Sequence, residues 1–258
     1  MPRNRKQGNV LLSGLVLLLV VLSAHSAFAQ ARFEWPEKPK NLKVLPKGTN
    51  KEKLSAVMIG FTRALGVRCP FCHVGQEGQP LTTFDFVSDE KPTKDAARGM
   101  LRLVNDVNSD LKKIKFPEAD RVEVTCVTCH HGRPRPLTLV QELTAVYQKS
   151  GVDSTAAAYR ALRGRYYGTA AYDFSERSLN DLGGALMEQG KKEDAIRILQ
   201  LNVEQNPQSS FAYSSLADAY ADSGQKDLAI QNYKKAVELD SNNRGAEQRL
   251  RQLSGEGK

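Results

Sequence analysis

Two short stretches decide the interpretation of this chain, "RCPFCHVG" at residues 68–75 and "TCVTCHHG" at residues 125–132. They contain all four cysteines of the 258 residues. In each stretch two cysteines stand three positions apart, and a histidine directly follows the second. Residues three apart lie on the same side of a helical turn. Both sulfurs of a pair are therefore expected to face one way, beside an imidazole that can bind a metal ion.

The Cys-x-x-Cys-His pattern is the attachment signal for c-type haem. We predict two covalently bound haem c groups, each held by two thioethers and one iron-binding imidazole. Such a large apolar cofactor would also give a core to a segment that has few apolar residues of its own. The predicted thioether residues are Cys69, Cys72, Cys126 and Cys129, and the predicted proximal ligands are His73 and His130.

Other uses of paired cysteines fit this sequence less well. Zinc sites normally place their two pairs about 15–20 residues apart, and Cys126 lies far beyond that distance from Cys72. A thioredoxin-like motif needs a strand–helix setting, whereas Cys69 follows a predicted helix. Two disulfides are the alternative in an oxidising compartment, but they give no role to the histidine after each pair.

Methionine is the predicted sixth iron ligand at both sites. Besides Met1, the chain contains Met58, Met100 and Met187, of which the last belongs to a repeat region. One methionine then remains for each haem, on the apolar face of the helix before each motif. Methionine on such a face is more often part of a core, but the count of one per haem favours ligation. A thioether ligand also raises the reduction potential.

His131 is the competing ligand. As the helical neighbour of His130 it points about 100° away and cannot reach the same iron. The alternatives for His131 are ligation of the other haem and a place near a propionate. Five arginines near the motifs are suited either to binding haem propionates or to forming a solvated basic surface: Arg63, Arg68, Arg98, Arg133 and Arg135.

The N-terminus is predicted to be a cleaved export signal over residues 1–29. "MPRNRK" is basic, residues 10–22 are apolar, and Ala27-Phe28-Ala29 is an A-x-A cleavage site. An uncleaved membrane anchor is the alternative. We expect a periplasmic protein, with membrane association only through an uncleaved leader or a membrane complex.

Composition excludes several classes of function. The chain is 40% apolar and 26% charged, which is typical of a globular protein. The net charge is +6 over residues 30–140 (19 basic, 13 acidic) and −1 over residues 141–258 (15 basic, 16 acidic), so the two parts look like different modules. No basic run with interleaved aromatics indicates nucleic-acid binding. No Ser/His/Asp set, paired carboxylates or phosphate-binding loop stands out.

Apolar periodicity predicts a mostly α-helical chain. In the first module, residues 30–140, one helix is predicted over residues 49–66 and a second over residues 93–114. Thr49 and Glu52 fit a capping box at the start of the first helix. Gly66 is expected to end it.

The second module, residues 177–258, contains an internal repeat. Leu182 matches Leu216 and Gly190 matches Gly224 at an offset of 34 residues, a period typical of tetratricopeptide helical hairpins. A capping helix is expected at "NRGAEQRLRQL", and residues 141–176 are interpreted as a linker or degenerate hairpin. The stack is predicted to bind a protein partner or a second copy through its concave face.

The first module resembles the cytochrome c subunit of photosynthetic reaction centres over about residues 40–136. The resemblance rests on "NLKVLPKGTNKEKLSAVMIGFTRALGVRCPFCHVG", "TKDAARGMLRLVNDVN" and "VTCVTCHHGRPRP". In that family a methionine-bearing helix precedes each motif and the methionine ligates that haem, which implies Met58 and Met100. Photosynthetic members carry four haems and a lipid-modified N-terminal cysteine. This chain has two motifs, no cysteine near Ala29 and a repeat tail foreign to them.

Together these patterns predict an exported dihaem c-type cytochrome that carries electrons between a redox donor and an acceptor. A haem enzyme such as a peroxidase, with one open iron position, is one alternative. A scaffold whose haems are structural or sensory is another. A void is expected between Met58 and His73, where the pattern predicts a haem rather than a substrate.

Overall fold

The computed structural model describes residues 32–115, 117 and 121–255, and the predicted export signal lies outside them. The described residues up to Cys126 form one compact unit (unit 1), and those from Val127 onward form another (unit 2). The helices are α1 Lys51–Leu65, α2 Pro92–Leu111, α3 Cys126–His130, α4 Leu139–Tyr166, α5 Glu176–Glu188, α6 Lys192–Gln205, α7 Ser210–Asp222, α8 Lys226–Leu239 and α9 Arg244–Ser254.

The predicted mostly helical fold is confirmed. Over the described ranges there are two 3-10 turns, Cys69–Phe71 and Leu81–Thr83, and no strand beyond an isolated bridge between Val74 and Asp85. None of the helices in these ranges is long and apolar enough to cross a membrane.

The start of α1 differs from the predicted capping box. Asn50 is the N-cap, and its side chain accepts a hydrogen bond from an amide of the first turn. Thr49 instead donates its hydroxyl to the carbonyl of Pro46, at 2.7 Å, so it closes the turn before the helix. Asparagine caps helices at least as well as threonine, which is why the prediction was wrong by one residue. Gly66 ends the helix as predicted, with φ 63°.

Helix α2 begins with Pro92 in its first turn, where the missing amide hydrogen has no cost. It ends at Leu111, three residues before its predicted end at 114. Near that end, the side-chain amide of Asn108 donates to the carbonyl of Val124 and accepts from its amide, both at 2.8 Å. This pair of bonds holds the segment that leads into the second motif against α2.

Unit 1 has little apolar core of its own. In the part of unit 1 that the structure describes, only Leu54 and Ala64 are buried apolar side chains. A unit of this size normally buries many more when it folds alone. Its aromatic and aliphatic side chains instead line a cavity, which is described below.

Unit 2 contains the repeats, and their equivalent positions have equivalent structure. Gly190 and Gly224 end the first helix of each hairpin with φ 74° and 76°, a conformation that glycine adopts without strain. Ala195 and Ala229 are fully buried where helices approach closely. Helix α4 is interrupted at Gly151 (φ 75°, ψ −176°) and therefore consists of two helical segments.

Candidate cofactor sites

The first cysteine motif forms a tight turn after α1. Cys69–Phe71 is a 3-10 helix, and the amides of Cys72 and His73 donate to the carbonyl of Cys69 at 3.2 and 3.0 Å. Two side chains near the start of α2 hold this turn by donating to its carbonyls: Lys91 to Pro70, and Thr93 to Phe71. The structure pairs none of the four cysteines in a disulfide.

A cavity of about 250 Å³ lies beside this turn. Met58 from α1 and both Cys72 and His73 from the motif line it, so we call it the Met58–His73 cavity. The expected void between the predicted axial ligands is therefore present. Much of the remaining wall consists of apolar side chains, among them Phe33, Trp35, Leu54, Phe61, Phe86 and Leu101.

His73 is in the state that binds metal ions. Its ring contacts Phe86 edge-on, with 4.9 Å between centroids. Its Nδ1 is buried and has no hydrogen-bond partner among the residues that the structure describes. Burial lowers the pKa of His73 to about 4, and the positive charge of Lys94 acts in the same direction. The imidazole is therefore neutral at pH 7, and these features fit the iron-binding side of a haem pocket.

The second cysteine motif forms the short helix α3. The side chain of His130 is buried, with 7% of the residue exposed, and its Nδ1 lies 2.8 Å from the backbone oxygen of Arg133. A ring nitrogen that faces a carbonyl carries the proton, which leaves Nε2 free to bind a metal. His131 is exposed and leaves the helix with φ 47°.

The two candidate methionines and Met187 differ in their surroundings. Met58 lines the cavity with His73. Met100 is on α2 and is 38% exposed, so its role as a sixth ligand stays a prediction. Met187 contacts both buried apolar clusters of the repeats, a structural position in agreement with its exclusion as a ligand.

Models of two families match the chain. The photosynthetic reaction centre cytochrome c subunit model matches residues 78–212, just over half of the chain. The chain belongs to this family. The tetratricopeptide repeat model matches residues 210–243, which confirms the predicted repeat. The cytochrome match begins after the first motif, includes the second and continues well beyond residue 136. Family membership implies covalently bound haem c.

Individual relatives align with smaller parts of this chain than the family model does. Cytochrome c-554 of Chloroflexus aurantiacus is 43% identical over 74 residues, which is 29% of this chain and 16% of that protein. The photosynthetic reaction center cytochrome c subunit of Rubrivivax gelatinosus is 29% identical over 36% of this chain and 28% of its own length. The chain therefore spans less than a third of the length of these curated relatives.

Solved tetratricopeptide domains also match. The first TPR domain of the human RPAP3 protein is 20% identical, with a TM-score of 0.33, and the match covers 45% of this chain and 87% of that domain.

The arginines near the motifs of this family member have different roles in the structure. Arg98 is buried and forms ion pairs with Asp89 at 2.8 Å and Asp95 at 2.6 Å. Its charge is thus neutralised inside the chain and does not contribute to a solvated surface. Arg68 is exposed and pairs with Glu77. Arg63 and Arg135 are exposed, whereas Arg133 is buried.

Sequence reasoning missed the charged group centred on Asp89. This carboxylate forms ion pairs with Arg98, Lys43 and Lys94. It also accepts a hydrogen bond from the side-chain amide of Asn41. The donors hold the pKa of Asp89 far below its usual range. The partners come from an extended segment and from α2, so no spacing in the sequence could have indicated the cluster.

Lys94 also lines the Met58–His73 cavity. Its ammonium donates to the carbonyls of Phe86 at 3.0 Å and Ser88 at 2.6 Å. The loop beside His73 is thereby held to α2, and one cation is kept at the cavity wall.

Proposed function

We propose that this chain is an exported dihaem c-type cytochrome that carries electrons between redox proteins. The observation that carries the proposal is the Met58–His73 cavity in a unit whose described residues form almost no apolar core. When bound, haem c supplies a one-electron iron couple and a large apolar surface. The residues that line the cavity would hold a haem there and keep water from it, and Met58 and His73 would offer a sulfur and a nitrogen to its iron.

Each predicted site residue has one role in this proposal. The four cysteines form the thioethers, and His73 and His130 are the proximal ligands. The neutral imidazole of His73 and the fixed tautomer of His130 suit that role. Met58 and Met100 are the sixth ligands, whose thioethers favour the ferrous state.

The repeat unit is proposed to dock a protein, either a redox partner or a second copy. Tetratricopeptide stacks present an extended concave surface that suits protein binding. A photosynthetic reaction centre and a respiratory complex are both candidate partners. The leader sequence supports a periplasmic location, and no feature of the sequence supports binding to nucleic acid.

The test is the haem stoichiometry of the mature protein, expressed with a cytochrome c maturation system. We expect the pyridine haemochrome spectrum and the iron content to give two covalent haems per chain. The paired variants Cys69→Ser/Cys72→Ser and Cys126→Ser/Cys129→Ser serve as controls, and each should retain one. A chain with no haem, and with zinc or disulfides instead, would refute the proposal.

A haem enzyme with one open iron position is the second candidate, and the exposed side chain of Met100 is the observation that favours it. If Met100 does not ligate, that iron is open to small molecules. Addition of cyanide to the oxidised protein separates the two functions. In a carrier with two closed sites cyanide must first displace a thioether and the spectrum changes only slowly, whereas an open iron position binds cyanide at once and one haem changes rapidly.

A further inference from the structure

The wall of the Met58–His73 cavity carries charge of one sign only. None of the described residues that line it is acidic, and five of them are cationic: Lys38, Lys40, Lys43, Lys94 and Arg98. A positive charge beside apolar side chains is stable only where a counter-charge or water accompanies it. The partners of these five cations therefore indicate what kind of ligand the cavity suits.

Three of the five cations already have anionic partners within the chain. The carboxylate of Asp89, which is not part of the lining, pairs with Lys43 at 2.7 Å and with Arg98 at 2.8 Å. It also lies 3.3 Å from the ammonium of Lys94. Arg98 has a second partner in Asp95, at 2.6 Å. The charges of these three side chains are thus balanced without any ligand.

Lys38 and Lys40 are the two cations of the lining that remain free. Among the residues that the structure describes, neither ammonium group has an ion pair or a hydrogen bond. Both residues are exposed although they line the cavity, so their side chains lie at its mouth. A lysine at such a place can lay its apolar stem along the wall and keep its ammonium in water.

An apolar interior with two free cations at the mouth suits a ligand that is apolar over most of its surface and anionic at one edge. A carboxylate is costly to move into apolar surroundings, so the anionic edge of the ligand belongs at the mouth. A haem carries two propionate carboxylates on one edge of its ring. They match the two free lysines in number and are opposite to them in charge.

We infer that Lys38 and Lys40 bind the two propionate carboxylates of the first haem. This inference rests on the proposed function, since it needs a haem at His73. Each ammonium would donate to one carboxylate and neutralise its negative charge. Negative charge near the iron stabilises the ferric state, which carries one positive charge more than the ferrous state. Loss of either lysine is therefore expected to favour the ferric form of the first haem.

The test is a redox titration of the haem-loaded full chain with Lys38→Gln and Lys40→Gln. At a fixed potential each substitution should lower the ratio of reduced to oxidised first haem by about threefold, within the range of an exposed ion pair, or about 28 mV for one electron. The second haem should be unchanged. Lys47→Gln is the matched control, because Lys47 is exposed but does not line the cavity. It should leave both haems unchanged.

Infrared redox-difference spectra of protein with ¹³C-labelled propionates identify the carboxylates directly. The propionate bands should shift in Lys38→Gln and Lys40→Gln. They should return towards the parent positions in Lys38→Arg and Lys40→Arg, which keep a cationic donor.

Two haems per chain with potentials and propionate bands equal to those of Lys47→Gln would overturn this inference alone. A changed potential with unchanged propionate bands would overturn it too, because the lysines would then be solvated charges available to an acidic protein surface. A chain without covalent haem would overturn the proposed function and this inference with it.

Discussion

At the scale of single residues, Met58 lies beside the first motif in the structure, as its sequence position suggested, and its role as an iron ligand stays a prediction. Met58 lies on the apolar face of a predicted helix, a position that usually indicates a core side chain. The count of one methionine for each predicted haem indicated an iron ligand instead. The structure places it on the wall that it shares with His73. No other described methionine lines this cavity, so the proposed first haem would have only this thioether available as a methionine ligand.

We predict that Met58→Ala opens one iron position. The first haem should become high-spin, and its ratio of reduced to oxidised form at fixed potential should fall by at least about tenfold, or about 59 mV. Optical and electron paramagnetic resonance spectra with a redox titration measure both effects. Met187→Ala is the control, since Met187 packs among the repeats. An unchanged low-spin spectrum in Met58→Ala would show that another group ligates the iron.

The Asp89 carboxylate makes the stability of unit 1 dependent on pH. Its pKa is lower in the folded chain than in the unfolded chain. Its contribution to stability is therefore complete above about pH 4, the usual aspartate pKa, and is lost as the pH falls through the folded-state value.

We predict that Asp89→Asn lowers the urea midpoint of unit 1 in the haem-loaded protein at pH 7, because Arg98 then loses a charged partner. The difference from the parent protein should shrink at pH 3 and below. Asp110→Asn is the control, because the ion pair of Asp110 with Lys113 is exposed on both sides and should contribute little. A difference that stays constant from pH 7 to pH 2 would rule out the carboxylate as its source.

The sequence allowed a prediction of functional groups only where their residues are close neighbours along the chain. The cysteines and histidine of each motif are adjacent in the chain, so their role could be inferred. The partners of Asp89 come from both directions along the chain, Asn41 and Lys43 from 48 and 46 positions before it and Lys94 and Arg98 from 5 and 9 positions after it. Folding alone brings such groups together, and no periodicity indicates it.

At the scale of helices, the repeats show how one small residue allows close packing. A Cβ atom on Gly183 would lie 2.6 Å from Cγ of Leu199, whereas on the next residue, Gly184, it would meet nothing within 4 Å. The position equivalent to Gly183 in the next repeat holds Ala217, in the same buried cluster as Tyr233. Position 183 therefore needs a glycine, because the side chain of Leu199 occupies the space that a Cβ atom would take.

We predict that Gly183→Ala lowers the free energy of unfolding of unit 2 by about 1–3 kcal/mol, the usual cost of overpacking. Gly184→Ala on the same helix should raise it by about 0.5–1 kcal/mol, because alanine favours the helix. Urea unfolding followed by circular dichroism measures both. Equal effects of the two substitutions would mean that α5 and α6 do not approach as closely as the structure indicates.

Helix positions were predictable from periodicity, and helix ends were not. Apolar spacing located α1 and α2, and the period of 34 residues located the hairpins of the repeats. The ends depend on single hydrogen bonds: Asn50 rather than Thr49 caps α1, and α2 ends at Leu111. Which of two neighbouring polar residues caps a helix does not affect the apolar spacing, so the apolar pattern cannot predict it.

At the scale of the whole molecule, the two units differ in what holds them together. Unit 2 contains two clusters of buried apolar side chains. Over its described residues, unit 1 buries only Leu54 and Ala64 in this way and surrounds the Met58–His73 cavity instead. Since burial of apolar surface is the main favourable term in folding, we expect unit 1 to need a cofactor to fold and the repeats of unit 2 to fold without one.

We therefore predict that the chain produced without haem attachment is folded in unit 2 only. Amide hydrogen exchange should show native-like protection in α5–α9 and little in α1 and α2. Covalent haem should raise the protection of α1 and α2 by on the order of a hundredfold, which corresponds to about 2.7 kcal/mol, and leave α5–α9 unchanged. Helices α5–α9 are thus the internal control in each sample. Equal protection of both units in the haem-free chain would mean that unit 1 is stable without a cofactor, and the cavity would then need another explanation.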